Sequence, residues 1–364
     1  MNLNNALKLA AAFLALNSGI QAWAGTISYT CDPTVSASTC NYLNTAIASL
    51  YNTTFTNASA NIYVRYGTTE LASSSSFLNN VSYTSYVAAL AANPSKDALQ
   101  VSALAALSLY DSAPYGSGDV DITDALGTAL GFTGLTGTTA SGAPCSFPNT
   151  GCYNAIITIT NDPTTPLYYD NLGGPEPSNA YDFYAAIEHQ TDAVLGTGSC
   201  ISTQNVALTD GCEFSGEPSA ADLFRYSASG SLILDSSLST TPGAYFSYNG
   251  GATNGAVGIG GDPLFYNTLS NGEGYGEFLS SSPNCGTNLV IQDALGCPGE
   301  DGGLSILNDG RGEINLLNAV GYDLTNNVTT TPTPEPGTLS LLGLGSGSLA
   351  LYLRRRRHAD EVAV

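Results

Sequence analysis

Both ends of this chain are segments that a membrane handles, and this confines the folding unit to what lies between them. At the N-terminus Lys8 closes a short polar region, Leu9 to Leu16 form an apolar run, and Ala22-Trp23-Ala24 makes an A-x-A cleavage site before Gly25. Residues 1–24 therefore read as a secretory signal peptide. At the other end a polar tract, Thr325 to Thr333, runs into Pro334-Glu335-Pro336, then an apolar stretch, Leu339 to Leu353, then Arg354, Arg355, Arg356 and Arg357. That apolar stretch reaches roughly 22 Å at 1.5 Å per residue, short of a hydrocarbon core of about 30 Å. Gly343, Gly345 and Gly347 weaken it further as a helix. The arginines stay on the cytoplasmic side of the inner membrane. Such a tail halts export and can be cut near its Pro-Glu-Pro. The expected organisation is a cargo domain over residues 25–324, a polar linker over 325–333, a sorting segment over 334–357 and a cytoplasmic tail over 358–364.

The compartment sets the chemistry of the eight cysteines. Outside the cytoplasm they oxidise, and they fall into local pairs: Cys31 with Cys40, Cys145 with Cys152, Cys200 with Cys212, and Cys285 with Cys297. Eight cysteines allow 105 connectivities; the short intervals, rich in Gly, Pro, Asn or Asp, favour four small staples. A metal–thiolate reading is weaker, because no C-x-x-C pair occurs.

Between residues 25 and 324 stand four basic residues (Arg65, Lys96, Arg225 and Arg311) against 27 acidic ones. A surface so negative repels nucleic acid and anionic lipid, and nucleic-acid binding is excluded as a function. With 43% hydrophobic residues and 21 tyrosines, the region is no acidic disordered chain either.

The expected elements are mixed. A strand at Thr26–Thr30 precedes a helix over Ala37–Tyr51, where Leu43, Ile47 and Leu50 recur at helical spacing. A strand at Asn61–Tyr66, helices over Ser82–Ala91 and Lys96–Leu109, and a buried strand at Ala155–Thr160 follow, with a loop over Asn161–Glu176. The second half reads as loop-rich, with short strands at Leu232–Leu234 and Ala244–Tyr248. A last helix, Glu313–Val320, is closed by Gly321 as a C-cap. Helices placed irregularly among strands indicate an α+β fold.

The C-terminal order of Pro-Glu-Pro, apolar segment and arginine cluster resembles the PEP-CTERM sorting signal of Gram-negative bacteria that make exopolysaccharide. The resemblance implies export through the Sec translocon and processing by an exosortase-type enzyme. It further implies transient anchoring in the inner membrane and delivery to the cell surface or an exopolysaccharide matrix. It leaves the chemistry of the cargo open.

One segment of the cargo offers a chemical site. Residues 179–196 read as a helix that Ser178 or Asn179 caps, with Asp182 in its first turn and Gly196 as its stop. Phe183, Ile187, Val194 and Leu195 form its apolar stripe. His189 shares a side with Ala185, Ala186, Asp192 and Ala193, and small neighbours leave space above the imidazole. This stretch resembles the metal-binding helix of exported bacterial metalloproteases that read E-H-E-x-x-E-V-[ML]-G. Three further blocks are similar to the same family: Asp222 to Gly230, Ala244 to Gly251 and Leu317 to Leu324. The resemblance implies a zincin-like mixed sheet around one active-site-type helix.

The departures matter more. The glutamate that would be general base on a metal-bound water is Gln190 here, and an amide cannot accept that proton near neutral pH. The second motif glutamate is Ala193. Glu188 and His189 remain. The other histidine of the chain, His358, lies beyond the sorting segment, so the cargo holds one imidazole and a three-histidine or two-histidine zinc site is impossible within it. Only oxygen ligands such as Asp192, Asp182 or Glu188 could complete a divalent site, for zinc or a harder ion such as calcium. The expectation is a degenerate, non-proteolytic relative. The alternatives are an active metallopeptidase using His189 with nearby carboxylates, and a non-enzymatic adhesion or matrix component.

Two weaker acidic stretches, Gly118 to Asp124 and Asn308 to Glu313, have carboxylates at calcium-loop density but fit helix capping and a turn better. With one histidine and no G-x-S-x-G elbow, a serine-hydrolase triad has little support.

Overall fold

A computed structural model describes residues 25–328 except 70, 111–117, 148, 170–175, 202–216, 228–229, 234–242, 259–260, 267–274, 280–289, 294–295, 300–302 and 327. The signal peptide and the sorting segment expected above lie outside the described residues.

Strand β1 (Ile27–Cys31) leads into a helical run: α1 (Ala37–Tyr42), a π-helical turn (Leu43–Ile47) and α2 (Ala48–Thr54). Ser36 starts it by accepting a hydrogen bond from Thr39 N–H. The run returns the chain to β2 (Ala60–Gly67), which pairs with β1 in parallel, the crossover that parallel pairing requires. Strand β3 (Ala72–Ser75) follows, then β4 (Leu78–Ser82), α3 (Tyr83–Ala92), α4 (Ala98–Leu107), β5 (Asp119–Thr123) and α5 (Asp124–Ala129). Ser82 caps α3 and Asp97 builds a capping box with Gln100 on α4, so both expected helices form with ends shifted by one or two residues. Strands β6 (Thr136–Thr139), β7 (Pro144–Ser146) and β8 (Cys152–Tyr153) make a small antiparallel sheet.

Strand β9 (Ala155–Thr160) is the centre of the main sheet. Its sequence AIITIT is buried along nearly its whole length, as a strand covered on both faces must be. It pairs in parallel with β2 and antiparallel with β3, giving the order β1-β2-β9-β3. The Ser-rich β3 is thus an edge strand. A two-stranded pair, β10 (Leu167–Tyr168) with β11 (Tyr181–Asp182), introduces α6 (Phe183–Asp192). Beyond it the regular elements among the described residues are a π-helical turn (Ala193–Thr197), a short 3-10 helix (Ala221–Phe224), β12 (Arg225–Tyr226), β13 (Tyr245–Phe246) and α7 (Gly312–Val320). The loop-rich second half is therefore as expected, although Ala244–Tyr248 narrows to β13 and Leu232 makes only a bridge to Tyr226.

Leu43, Ile47 and Tyr51 of the first helical run, Ile187, Val194 and Leu195, and Ile314 to Val320 share one continuous core with Ile62, Val64, Ile157 and Ile159. Every residue of α7 is buried. The two ends of the cargo meet at one corner: Gly25 N–H donates to Thr56 O, Thr56 N–H to Asp323 O, and Thr325 N–H to Thr54 O.

Two of the four expected staples are formed between described residues, Cys31–Cys40 and Cys145–Cys152. Cys200 and Cys297 are each disulfide-bonded, and Cys212 and Cys285 lie outside the described residues. The Cys31–Cys40 bond fixes the end of β1 to α1. Closing so short a loop constrains the unfolded chain by about 2–3 kcal/mol. The double variant Cys31→Ser/Cys40→Ser is expected to lose that much, read as a lower urea midpoint than the parent protein under non-reducing conditions.

Candidate functional site

The start of α6 differs from the sequence expectation. Asp182, rather than Ser178 or Asn179, is the N-cap, its Oδ1 accepting hydrogen bonds from Tyr184 N–H (2.6 Å) and Ala185 N–H (3.2 Å). The four residues before Phe183 do not join the helix, because Tyr181 and Asp182 pair with Leu167 and Tyr168 as β11. At the far end α6 opens into a π-helical turn, Ala193–Thr197, and stops at Gly196, whose φ of 114° a side chain would strain.

The helix has two working faces. Ile187, Glu188, Thr191 and Asp192 turn inward. Ala185, Ala186, His189, Gln190 and Ala193 form the floor of a cleft of about 860 Å³, within the usual size range of ligand sites. Edge strand β3 makes one wall, and residues Gly276, Glu277 and 290–293 make the other.

His189 is held from two sides. Its Nδ1–H donates to the Ile291 carbonyl at 2.9 Å, and Nε2 lies 3.4 Å from Glu277 Oε1, both side chains being 17% exposed. Burial opposes the ring's charge. The Glu277 carboxylate, and after it the Ile291 carbonyl, outweigh it and raise the imidazole from 6.5 to about 9. At neutral pH the ring is an imidazolium with both N–H groups committed, and it has no lone pair to give a metal. Gln190 beside it is an amide, and Ala193 one turn on has no ligand atom. Of the three carboxylates named in the sequence, Asp182 borders the cleft but is engaged in capping the helix, and Glu188 and Asp192 face the core rather than the cleft. Among the described residues no three His, Cys, Asp or Glu side chains are grouped to hold a metal ion.

Behind the cleft floor lies a cluster the sequence did not announce. Glu188, Asp192, Asp309 and Glu313 are all fully buried. Glu188 Oε2 accepts from Ile306 N–H, Asp192 Oδ1 from Tyr51 O–H, Asp309 from Ile291 and Arg311 N–H, and Glu313 Oε1 from Gln292 N–H. Glu188 Oε1, Asp192 Oδ2 and Glu313 Oε2 have no partner. Burial pushes all four carboxyls above the usual carboxylate range; repulsion from neighbouring acids adds to it at Glu188, Asp192 and Glu313, while at Asp309 a hydrogen bond with Glu313 works against it. Four charges cannot share such a space at tolerable cost, so the cluster holds protons.

The two weaker acidic stretches have structural duties. Residues Asp119–Thr123 are β5, paired with β4, Thr123 caps α5 by accepting from Leu126 N–H, and Asp121 accepts from Asn80 Nδ2. Asp309 organises the turn before α7 and is part of the buried cluster. Glu277 and Arg225 went unread in the sequence; Glu277 sits in a glycine-rich acidic stretch, Gly272 to Glu277, with no spacing that ties it to His189.

Comparison with known proteins bears on the tail. Residues 332–357 match the PEP-CTERM protein-sorting motif, which takes in Pro334, Glu335, Pro336 and the four arginines. The chain is thus of the exported, exosortase-sorted class, destined for the cell envelope. No match to a curated protein or to a solved structure reaches significance. No helix among the described residues is long and apolar enough to cross a membrane.

The buried acids give a stability profile with a definite sign. Glu188, Asp192, Asp309, Glu313 and His189 all bind protons more tightly when folded than when unfolded. Their stabilisation is complete below the unfolded values, about 4 for carboxyls and about 6.5 for imidazole. It is lost as pH rises through the folded ones, about 9 for His189. Asp32 and Asp162 shift the opposite way, so their contribution is constant above about pH 4 and is lost only as pH falls below it. The urea midpoint is expected to fall steadily from pH 5 to 9, and Asp192→Asn to flatten the fall. A midpoint that rose over this window would contradict the assignment.

Proposed function

We propose that the exported domain is a metallopeptidase-like scaffold, a zincin-like sheet and helix, that captures an extended polypeptide without hydrolysing it. The observation that carries this reading is the state of His189. Its two nitrogens serve Ile291 and Glu277, while Gln190 stands where a general base would be needed. A nucleophilic water would find neither a metal to lower its pKa nor a base to take its proton.

Binding is supported by the edge of β3, with which no second strand pairs among the described residues. Thr160 N–H donates to Leu71 O, so by antiparallel alternation Ala72 and Ser74 turn their main-chain groups away from β9 and toward the cleft. An extended segment can pair along that edge as an added strand. Leu324, near the last described residues, bridges to Phe55 beside the start of β2, whereas the cleft lies at the β3 edge two strands away, so the described end of the cargo does not enter the cleft. In a surface or exopolysaccharide matrix the same cleft would hold matrix polypeptides, an adhesive role without turnover or cofactor.

Two measurements test this. Casein and peptide hydrolysis by the purified exported protein is expected to be absent with or without zinc or calcium. Chelator-sensitive hydrolysis accompanied by near-stoichiometric zinc would establish the rival, an active metallopeptidase using His189 with nearby carboxylates. Ser74→Pro removes one edge N–H at a position that donates nothing to β9, a substitution edge strands tolerate. It is expected to weaken peptide binding roughly tenfold while leaving the melting temperature near that of the parent. Unchanged binding would remove β3 as the docking edge.

A further inference from the structure

Arg225 is 2% exposed, one of only four basic side chains in the cargo. A buried guanidinium is costly unless it is well partnered, and here part of that partnership falls on the chain around Glu277. Its carbon lies 4.6 Å from the centroid of Tyr266 and 5.9 Å from that of Tyr275. Nη1–H donates to the Tyr275 carbonyl at 2.5 Å. Tyr266 in turn stacks on Phe278 at 5.3 Å. Arg225 therefore grips the chain on both sides of Glu277, two residues before it and, through Tyr266, one residue after it.

The opposite side of that segment is pressed against the end of α6. A Cβ on Gly276 would fall 2.7 Å from Thr197 O and 2.8 Å from Ser199 N, closer than real Cβ contacts allow, so only glycine lets the backbone lie there. Ser199 is itself tied down, donating to Asp222 Oδ1, while Cys200 N–H and Ser219 N–H donate to Asp222 Oδ2. Phe278 N–H donates to Gln292 O, one residue from the Ile291 carbonyl that holds His189.

We propose that Arg225 is a positioning residue, which together with Gly276 fixes the 275–278 segment so that the Glu277 carboxylate stays on the His189 ring and sets the charge of the cleft floor. The proposal rests on the reading of His189 as a ring held by Glu277 and Ile291; if Arg225 alone proved dispensable, that reading would stand. Arg rather than Lys is needed because a planar fork can stack on a ring and donate to a carbonyl at once.

The test follows the His189 imidazole through pH by nitrogen-detected NMR on the full chain in detergent, with His358 as the internal reference. The parent is expected to titrate at about 9. Glu277→Gln should lower that midpoint by about one unit or more. Arg225→Met should lower it similarly, and the double variant should fall no further than Glu277→Gln alone. The sign discriminates. Loss of a nearby positive charge by itself would move the midpoint up, whereas loss of the Glu277 contact moves it down. Asp192, on the ring's own helix, remains in every variant. If Arg225→Met lowers the melting temperature and leaves the midpoint at the parent value or above it, Arg225 is a packing residue and the proposal is wrong. Should that variant not fold, Arg225→Lys and Gly276→Ala replace it. An intermediate downward shift in both supports the proposal, and no downward shift in either overturns it.

Discussion

The structure depends on how α6 is held, because the same ten residues close the core and floor the cleft. Its inner face carries two carboxyls, Glu188 and Asp192, into a space with no exposure to water. What makes this tolerable is a set of aimed donors. Tyr51 reaches Asp192 from the first helical run, Ile306 N–H reaches Glu188 from the loop before α7, and Tyr29 of β1 reaches Thr191 between them. Each contact joins α6 to a different part of the chain, so the helix is fixed in rotation as well as position. That rotation directs His189 and Gln190 into the cleft. The remaining burden is electrostatic. With Asp309 and Glu313 on the facing side the cluster can exist only partly protonated, and the fold is therefore linked to pH.

The cleft chemistry follows from two residues and one contact. Gln190 and Ala193 leave His189 without the carboxylates that would make it part of a metal centre, and Glu277 approaches from a distant loop to pair with it instead. A neutral imidazole is a ligand or a base; an imidazolium bonded at both nitrogens is a fixed positive charge. In a domain with 27 acidic residues and four basic ones, a cation on the cleft floor is a scarce feature, and its neighbourhood is built to keep it. On the function proposed above, this cation and the edge of β3 would together hold an extended chain.

Much of the scaffold was readable because it rests on local rules. The helix over 37–51 announced itself through Leu43, Ile47 and Leu50. Strand β9 did so through a continuous apolar run, the pair Cys31 and Cys40 through short spacing, and α7 through its closing glycine. The start of α6 was misread because Ser178 and Asn179 are good caps by type, while the real cap, Asp182, was chosen by the pairing of β11 with β10, contacts that no local window contains. Strands β3 and β4 were missed because Ser- and Asn-rich segments carry little strand signal; their neighbours β9 and β5 impose the extended form. Glu277 and Arg225 were invisible as site residues for the same reason: 88 residues separate Glu277 from His189, and no periodicity spans that interval.

The sequence by itself determined where this protein goes and which side chains its cargo has to work with. Export, sorting by the Pro-Glu-Pro tail and oxidised cysteines follow from short contiguous segments, read by translocation and processing machinery without reference to the fold. The absence of a second cargo histidine and of the motif glutamates is likewise a matter of inventory, which folding cannot change. Only the tertiary structure decided the state of what remains. It buried Glu188 and Asp192 with Asp309 and Glu313, paired His189 with Glu277, and set Arg225 behind that pair. Charge state is a property of surroundings, and the surroundings of a side chain are assembled from residues far apart in sequence.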